Sequence, residues 1–212
     1  MKKILLAILV VTFMTNFSFA QEEKTENRDK PQFGFKLGTN FSNVYDTEGE
    51  QFNTDPKFGL VFGAFMSIPF GDLIGVQPEV LYSQKGFKAT GIILGEPYEF
   101  ILTTTYIDIP LLFAVKPAEV ITIVAGPQFS YLIKERYSFT IASSSIEQEQ
   151  EFENDNLRKN MLCFTGGLTI NLDKIVIGTR AGWDIQKNTG DGTSTTPRYK
   201  NVWYQATIGY RF

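Results

Sequence analysis

Seven charged residues stand out because they fall inside segments that otherwise resemble apolar strands. They are Lys36, Glu79, Lys85, Asp108, Arg180, Asp184 and Arg211. Side chains of these types can form ion pairs, or two carboxylic groups can work as a general acid and a general base. The acidic positions show no local spacing motif, so we interpret all seven as ion-pairing groups.

The sequence lacks the residues and motifs of several other kinds of catalytic site. The chain contains no histidine, which excludes Ser-His-Asp and Cys-His nucleophilic systems and removes the commonest metal ligand. Gly166-Gly167 lacks the Lys-Ser/Thr and the following helix of a phosphate loop, and Asp191-Gly192 indicates a turn. We therefore expect a protein that is not an enzyme and has no catalytic residue, metal site or cofactor.

Cysteine usage and net charge narrow the class further. The only cysteine is Cys163, so an intrachain disulfide is excluded. The formal net charge is −3, and a nucleic-acid-binding surface would be basic. We expect no nucleic acid among the partners.

The N-terminal region has the features of a secretion signal. Residues 1–20 contain two lysines, an apolar stretch and a small-x-small ending, which predicts a cleaved signal peptide. Residues 21–32 are charged and predict a periplasmic tether, and residues 33–212 form one domain. After residue 20 no stretch approaches the ~18 apolar residues of a spanning helix. A membrane location would therefore require a closed barrel.

Period-two alternation is the dominant pattern from Phe33 onward, and it predicts strands with two different faces. The eight alternating segments cover about residues 33–42, 57–69, 73–84, 102–115, 120–133, 161–170, 175–185 and 202–212. Their length and even number fit a tilted, closed antiparallel sheet. The predicted fold is all-β: an eight-stranded antiparallel up-and-down transmembrane β-barrel. Three prolines within these segments argue for bulges or strand ends at Pro78, Pro110 and Pro127.

Loop lengths predict an orientation. The connections at residues 70–72, 116–119 and 172–174 are short, and those between them are long and polar. Outer-membrane barrels place short turns in the periplasm. We therefore expect both termini on the periplasmic side of a bacterial outer membrane.

The seven charges all lie in the phase opposite the apolar residues. A Lys or Arg facing lipid near the midplane would cost about 2–4 kcal/mol, so the charged phase should face the lumen. Because buried ions need partners, we predict a structural network of Lys36, Glu79, Asp108, Arg180 and Arg211. In it Arg180 pairs with Glu79 or Asp108. Hydration at the barrel rims is an equal alternative for Lys85, Asp184 and Arg211.

The C-terminal segment keeps the lipid-facing alternation to its last residue. Tyr210 and Phe212 both lie in the apolar phase. A terminal aromatic residue after alternating apolar ones resembles the signal read by the barrel-assembly machinery, which we expect as a partner during insertion.

Several motifs resemble a known family. They are FGFKLGTNFSNV (33–44), FGLVFGAFMSIPF (58–70), QPEVLYSQKGFK (77–88), YIDIPLLFAV (106–115), AGPQFSYLI (125–133) and TIGYRF (207–212). They are similar to the PorT-type outer-membrane β-barrel proteins of Bacteroidetes. The resemblance implies an eight-stranded barrel in the outer membrane, and its founding member is tied to type IX protein secretion. After Gly178 the sequence TRAGWDIQKN departs from the family's usual ending.

The sequence thus favours a barrel whose wall contacts outer-membrane lipid. Its loops or periplasmic rim would contact an unknown envelope protein. We expect an accessory in protein secretion or envelope assembly. Two alternatives stay open, a narrow small-solute channel and a lipocalin-like binder of hydrophobic ligands.

Overall fold

The chain folds into antiparallel strands. A computed structural model describes residues 30–45, 54–141, 144–150, 158–188 and 199–212. The strands are β1 Gln32–Tyr45, β2 Asp55–Pro69, β3 Ile74–Ile93, β4 Glu96–Ala118, β5 Ile121–Ile141, β6 Ser144–Gln150, β7 Asn160–Leu172, β8 Ile175–Asp184 and β9 Lys200–Arg211. The predicted signal peptide and residues 21–29 of the predicted tether lie outside the described residues. Within those residues, no helix is long and apolar enough to cross a membrane.

Eight of the strands close into a ring. Each pairs antiparallel with its neighbours in the order β1, β2, β3, β4, β5, β7, β8 and β9, and β9 pairs back with β1. The remaining strand, β6, pairs with the far end of β5. The predicted all-β antiparallel up-and-down barrel is confirmed.

Three strands are longer than their predicted segments. β3 and β4 form a hairpin that pairs out to Ile93 and Glu96, and β4 and β5 stay paired out to Tyr98 and Ile141. The extension of β3 has no clear alternation, whereas that of β5 continues it beyond the predicted segment, with Tyr137, Phe139 and Ile141 set against Arg136, Ser138 and Thr140. Together with β6 these extensions form a four-stranded "protruding sheet" at the end of the ring opposite Gln32 and Phe212. Its parts are residues 89–93, 96–101, 134–141 and 144–150.

The expectation of bulges or strand ends at the three prolines is wrong. The ladders keep the same register on both sides of the pairs Pro78–Leu111, Pro110–Gln128 and Pro127–Phe164. A proline removes one donor from the ladder, and the flanking pairs suffice to hold the register. The register shifts lie instead at Pro56/Val61, Thr105/Tyr106 and Val115/Ala118.

The two faces of the ring differ sharply in chemistry. Outward apolar side chains are well exposed, for example Phe58 at 69% and Leu111 at 54%. Inward residues are buried and of mixed type, from Val61, Leu81 and Leu112 to the charged residues described below. A wall with an apolar exterior fits a lipid environment, since side chains alternate between the two sides of a strand.

Candidate functional site: a filled, charged lumen

A carboxylate held by two cations forms the centre of the lower lumen, which is the half of the lumen farther from the protruding sheet. Lys36 Nζ donates to Glu79 Oε1 at 2.7 Å, and Arg180 donates from Nη1 to Oε2 at 2.8 Å and from Nη2 to Oε1 at 2.7 Å. Gln77 Nε2 adds a fourth hydrogen bond to Oε1 at 2.6 Å. We call Lys36, Glu79 and Arg180 the lower ion cluster. It links strands β1, β3 and β8 across the lumen.

The geometry of the lower ion cluster suits its burial. The planar guanidinium of Arg180 matches the two oxygens of a carboxylate, so both Glu79 oxygens are satisfied. The Lys36 ammonium also lies 4.8 Å from the centre of the Phe65 ring. The Phe65 ring packs directly against Gly34, where an added Cβ would lie only 2.5 Å from Phe65 Cζ. Glycine at position 34 therefore makes room for the aromatic floor beneath the lysine.

A second group of charges lies nearer the protruding sheet. Lys85 Nζ lies 3.1 Å from Asp108 Oδ2, and both side chains are 1% exposed. Asp184 Oδ2 accepts hydrogen bonds from the backbone N of Asn201 at 2.8 Å and from its Nδ2 at 2.6 Å. The Cys163 thiol donates to Asp184 Oδ1 at 3.1 Å. We call Lys85, Asp108 and Asp184 the upper ion cluster.

Aromatic rings complete the upper ion cluster. The Lys85 ammonium lies 3.8 Å from the Trp203 ring centre and 4.8 Å from that of Tyr106. A cation over an indole face is stabilised by the ring quadrupole, most strongly where water is excluded. Trp203 fits because Gly182 lies against it, and a Cβ at Gly182 would come within 2.3 Å of the indole.

Apolar side chains fill the lumen above and below the charges. Towards the protruding sheet lies a buried cluster of Val44, Phe87, Leu102 and Tyr199, in which the Phe87 and Tyr199 rings are 5.7 Å apart. Near the terminal end Leu112, Ala114 and Val124 form a smaller cluster. An eight-stranded ring is just wide enough for its own side chains to fill, and the described residues do fill it.

The five residues predicted as one network separate into three groups. Lys36, Glu79 and Arg180 come together, and Glu79 is the partner of Arg180. Asp108 pairs instead with Lys85. Arg211 lies at the terminal end, where it donates to Asn171 Oδ1 at 3.4 Å and to the Asp173 carbonyl at 2.8 Å. The prediction of a single network is therefore corrected.

The alternative of rim hydration applies to only one of three residues. Lys85 and Asp184 are each 1% exposed, whereas Arg211 is half-buried at the rim. The sequence reasoning did not foresee the hydrogen-bonding roles of Cys163, Gln77 and Asn201. Their signal is phase, since Gln77 and Asn201 stand two and ten residues from Glu79 and Arg211 on their own strands, and Cys163 lies between the outward-facing Leu162 and Phe164.

The predicted C-terminal signal residues face outward. Tyr210 and Phe212 are 43% and 51% exposed, and their ring centres are 6.3 Å apart. The backbone N of Phe212 donates to the Phe33 carbonyl at 3.0 Å. The last residue is thus held to the first strand at the seam of the ring. Its recognition by assembly machinery stays a prediction.

The described part of the chain contains no group of three or more His, Cys, Asp or Glu side chains that could hold an ion. The carboxylates of both ion clusters already accept hydrogen bonds from protein donors.

The fold and its apolar exterior define the class of an integral outer-membrane β-barrel. The family model described as "Outer membrane protein beta-barrel domain" matches residues 19–187. The chain belongs to this family of outer-membrane proteins. No curated protein matches it.

Solved structures with a similar fold are outer-membrane or surface proteins. Ail of Yersinia pestis is 14% identical, with a TM-score of 0.46 over 86% of this chain and 99% of Ail. Neisserial surface protein A is 10% identical, with a TM-score of 0.46 over 85% and 97% of the two chains. OprG of Pseudomonas aeruginosa is 13% identical, with a TM-score of 0.35 over 86% and 94%.

Proposed function

We propose that this barrel is a non-enzymatic outer-membrane anchor that presents the protruding sheet to a protein partner. The observation that carries the proposal is the combination of a lumen filled by side chains with a sheet that continues past the ring. A filled lumen offers little room for solute passage or for a hydrophobic ligand. Contacts of a rigid barrel then have to be made by the parts that extend from it.

The tip of the protruding sheet has the character of a contact surface. Leu94 is fully exposed and Ile92 is 75% exposed. Leu94 and Gly95 form the turn with φ values of 54° and 86°, and this turn displays the leucine at the end of the β3–β4 hairpin. Behind the tip, the Tyr98 and Phe139 rings stack at 5.8 Å. Clustered apolar side chains in water are typical of protein interaction sites.

The proposed orientation places the protruding sheet outside the cell. Gln32 at the start of β1, Phe212 and three short turns of the ring, at residues 70–73, 119–120 and 173–174, lie at the opposite end. Short turns are periplasmic in outer-membrane barrels. The termini would then be periplasmic, and the partner would be a protein displayed at the cell surface or crossing it.

The finer role rests on sequence resemblance. The motifs QPEVLYSQKGFK (77–88) and YIDIPLLFAV (106–115) resemble the PorT-type family of Bacteroidetes, whose founding member is tied to type IX secretion. Both motifs lie in the β3–β4 hairpin, which also carries the exposed tip. The resemblance is the ground on which we propose an accessory role in protein secretion; a role in envelope assembly is the alternative.

We expect a thiol introduced at the tip to be reachable from outside and to lie beside the partner. Intact cells carrying Leu94→Cys are treated with a membrane-impermeant maleimide that bears a photoactivatable benzophenone. The reagent should label Leu94→Cys, and illumination should give one discrete protein adduct, identified by mass spectrometry. The native Cys163 is 0% exposed, so the unsubstituted protein should remain unlabelled.

The matched control is Asp72→Cys in the short turn between β2 and β3. It should be labelled only after the outer membrane is permeabilised. Labelling of Asp72→Cys but not of Leu94→Cys on intact cells would show that the barrel has the opposite orientation in the membrane. Labelling at Leu94→Cys without a discrete adduct would argue against a protein partner at the tip.

A further inference from the structure

The strand β6 forms the charged edge of the protruding sheet, whereas residues 89–93 of β3, at the other edge, carry no charge. The seven residues of β6 pair antiparallel with β5, from Glu135–Gln150 to Ile141–Ser144. Within the described residues, no ladder forms on the other side of β6. Every second residue of an edge strand directs its N–H and C=O away from the sheet. The backbone of β6 can therefore accept one more strand.

The face of the protruding sheet that continues the lumen wall is apolar, and we call it the inner face. Tyr137 on β5 lies on this face because it is the register partner of the buried Leu102. Phe139 lies on the same face two residues further along, and its register partner on β6 is Ile146. Ile146 is 63% exposed. A strand added outside β6 would therefore cover Ile146 with its own apolar side chains.

The opposite, outer face of the protruding sheet carries charges that change sign from strand to strand. Lys88 on β3 lies 3.6 Å from Glu99 on β4. Arg136 follows on β5, and Glu147 is exposed on β6. The register partner of Glu147 on β5 is Ser138, so no cation lies directly opposite its carboxylate. Opposite charges on neighbouring strands stabilise their pairing, so the next strand would be favoured to carry cations on this face.

We propose that β6 pairs with an extended segment of the protein partner in which basic residues alternate with apolar ones. The basic residues lie beside Glu147 on the outer face, and the apolar residues lie beside Ile146 on the inner face. Backbone hydrogen bonds of an added strand supply affinity, and its alternate side chains supply specificity. The inference rests on the proposed function, and it names the edge and the class of sequence by which the partner is held.

A second copy of β6 is a poorer occupant of the same edge. Antiparallel pairing along the full length of two β6 strands sets Glu147 of one copy opposite Glu147 of the other, because Glu147 is the middle residue of Ser144–Gln150. Like charges directly opposite each other destabilise a strand pair. Charged side chains on an edge strand discourage self-association in this way, and they leave the edge to a basic segment.

The test uses the full-length mature barrel in a non-ionic detergent and two dye-labelled peptides. One peptide alternates valine with lysine, and the other alternates valine with glutamate. Fluorescence anisotropy at moderate salt measures both affinities. We expect the unsubstituted barrel to bind the lysine peptide about tenfold more tightly than the glutamate peptide, given the usual contribution of cross-strand charge pairs. Glu147→Lys should reverse this preference.

The matched control is Glu99→Lys, which makes the same change of charge on the same face but is separated from β6 by β5. This variant should keep the preference for the lysine peptide. Heat-modifiable migration on gels verifies that each variant is folded. A loss of preference in Glu99→Lys as large as that in Glu147→Lys would overturn the edge site in favour of general charge attraction.

Backbone N-methylation of the lysine peptide tests strand pairing itself. In an extended peptide the N–H groups of the lysines point to one edge and those of the valines to the other. One derivative is methylated on the backbone nitrogen of every lysine, and another on that of every valine. We expect only one of the two to bind like the unmodified peptide, and equal affinities would overturn the pairing. These measurements need no protein partner, so they can fail while crosslinking at Leu94→Cys succeeds.

Discussion

Replacement of Glu79 by glutamine is expected to lower the free energy of unfolding by about 3–5 kcal/mol, the usual loss when one partner of a buried ion pair is removed. Glu79 lies between Lys36 and Arg180, and its side chain is 0% exposed. The variant leaves two cations facing each other in a dry lumen. Urea titration of the barrel in lipid vesicles, followed by heat-modifiable migration, measures the loss.

A surface ion pair supplies the matched control. Lys88 and Glu99 lie 3.6 Å apart, with side chains 40% and 44% exposed. Exposed pairs contribute about 0–1 kcal/mol, so Glu99→Gln should be almost neutral. Similar losses for Glu79→Gln and Glu99→Gln would show that the lower ion cluster does not hold the lumen together.

Truncation of Trp203 should produce a loss of similar size through a different mechanism. Trp203 is 1% exposed and is the largest fully buried side chain of the described residues. Trp203→Ala opens a cavity, which costs about 3–5 kcal/mol for a tryptophan in a core. It also removes the ring 3.8 Å from the Lys85 ammonium. The same urea titration measures the change.

The chain provides its own comparison, because its other tryptophan faces outward. Trp183 is 42% exposed on the wall of the ring, so Trp183→Ala leaves no closed cavity and should cost clearly less. If Trp183→Ala proves as destabilising as Trp203→Ala, the lumen is packed less tightly around Trp203 than the structure indicates.

The sequence predicted correctly those features that depend only on neighbouring residues of one strand. Side chains in a strand alternate between its faces, and a slip of one residue would turn every charge towards lipid. The phase of Lys36, Glu79 and Arg180 was therefore readable without a structure. The same argument identified all eight strands of the ring, since each must present an apolar face to the membrane.

Pairing across the lumen could not be predicted in the same way. Glu79 and Arg180 are 101 residues apart in the chain, and their approach depends on the stagger of the whole ring. Asp108 shows the consequence. It shares the lumen with Arg180 but pairs with Lys85, and the spacing of these residues in the sequence does not indicate which of the two cations is its partner.

The position along each strand at which the lumen opens to solvent was the second feature that the sequence could not predict. Lys85 and Asp184 lie near the ends of their apolar segments, so hydration at a rim was a reasonable expectation. The strands continue beyond Lys85 as the polar β3–β4 hairpin, and Asn201 covers Asp184 with two hydrogen bonds. The end of β3 has no periodic signal, and the alternation of Tyr137, Phe139 and Ile141 at the end of β5 lies beyond the predicted segment 120–133. The sequence position of Asn201 does not indicate that it covers Asp184.

A barrel filled in this manner has to act through its surfaces. The ion clusters and the apolar clusters occupy the interior that a channel would need. What the ring offers to other molecules is its protruding sheet, its lipid-facing wall and its terminal rim. The proposed function therefore depends on the lumen being closed.

Single-channel recording in planar lipid bilayers tests that closure most directly. Purified barrel inserted at moderate salt should give no stable, ion-selective current, because the lower and upper ion clusters and Trp203 block the path. A porin inserted under the same conditions verifies that insertion and recording work. Stable current steps with defined ion selectivity, abolished when the barrel is unfolded, would contradict a closed lumen and favour the narrow solute channel.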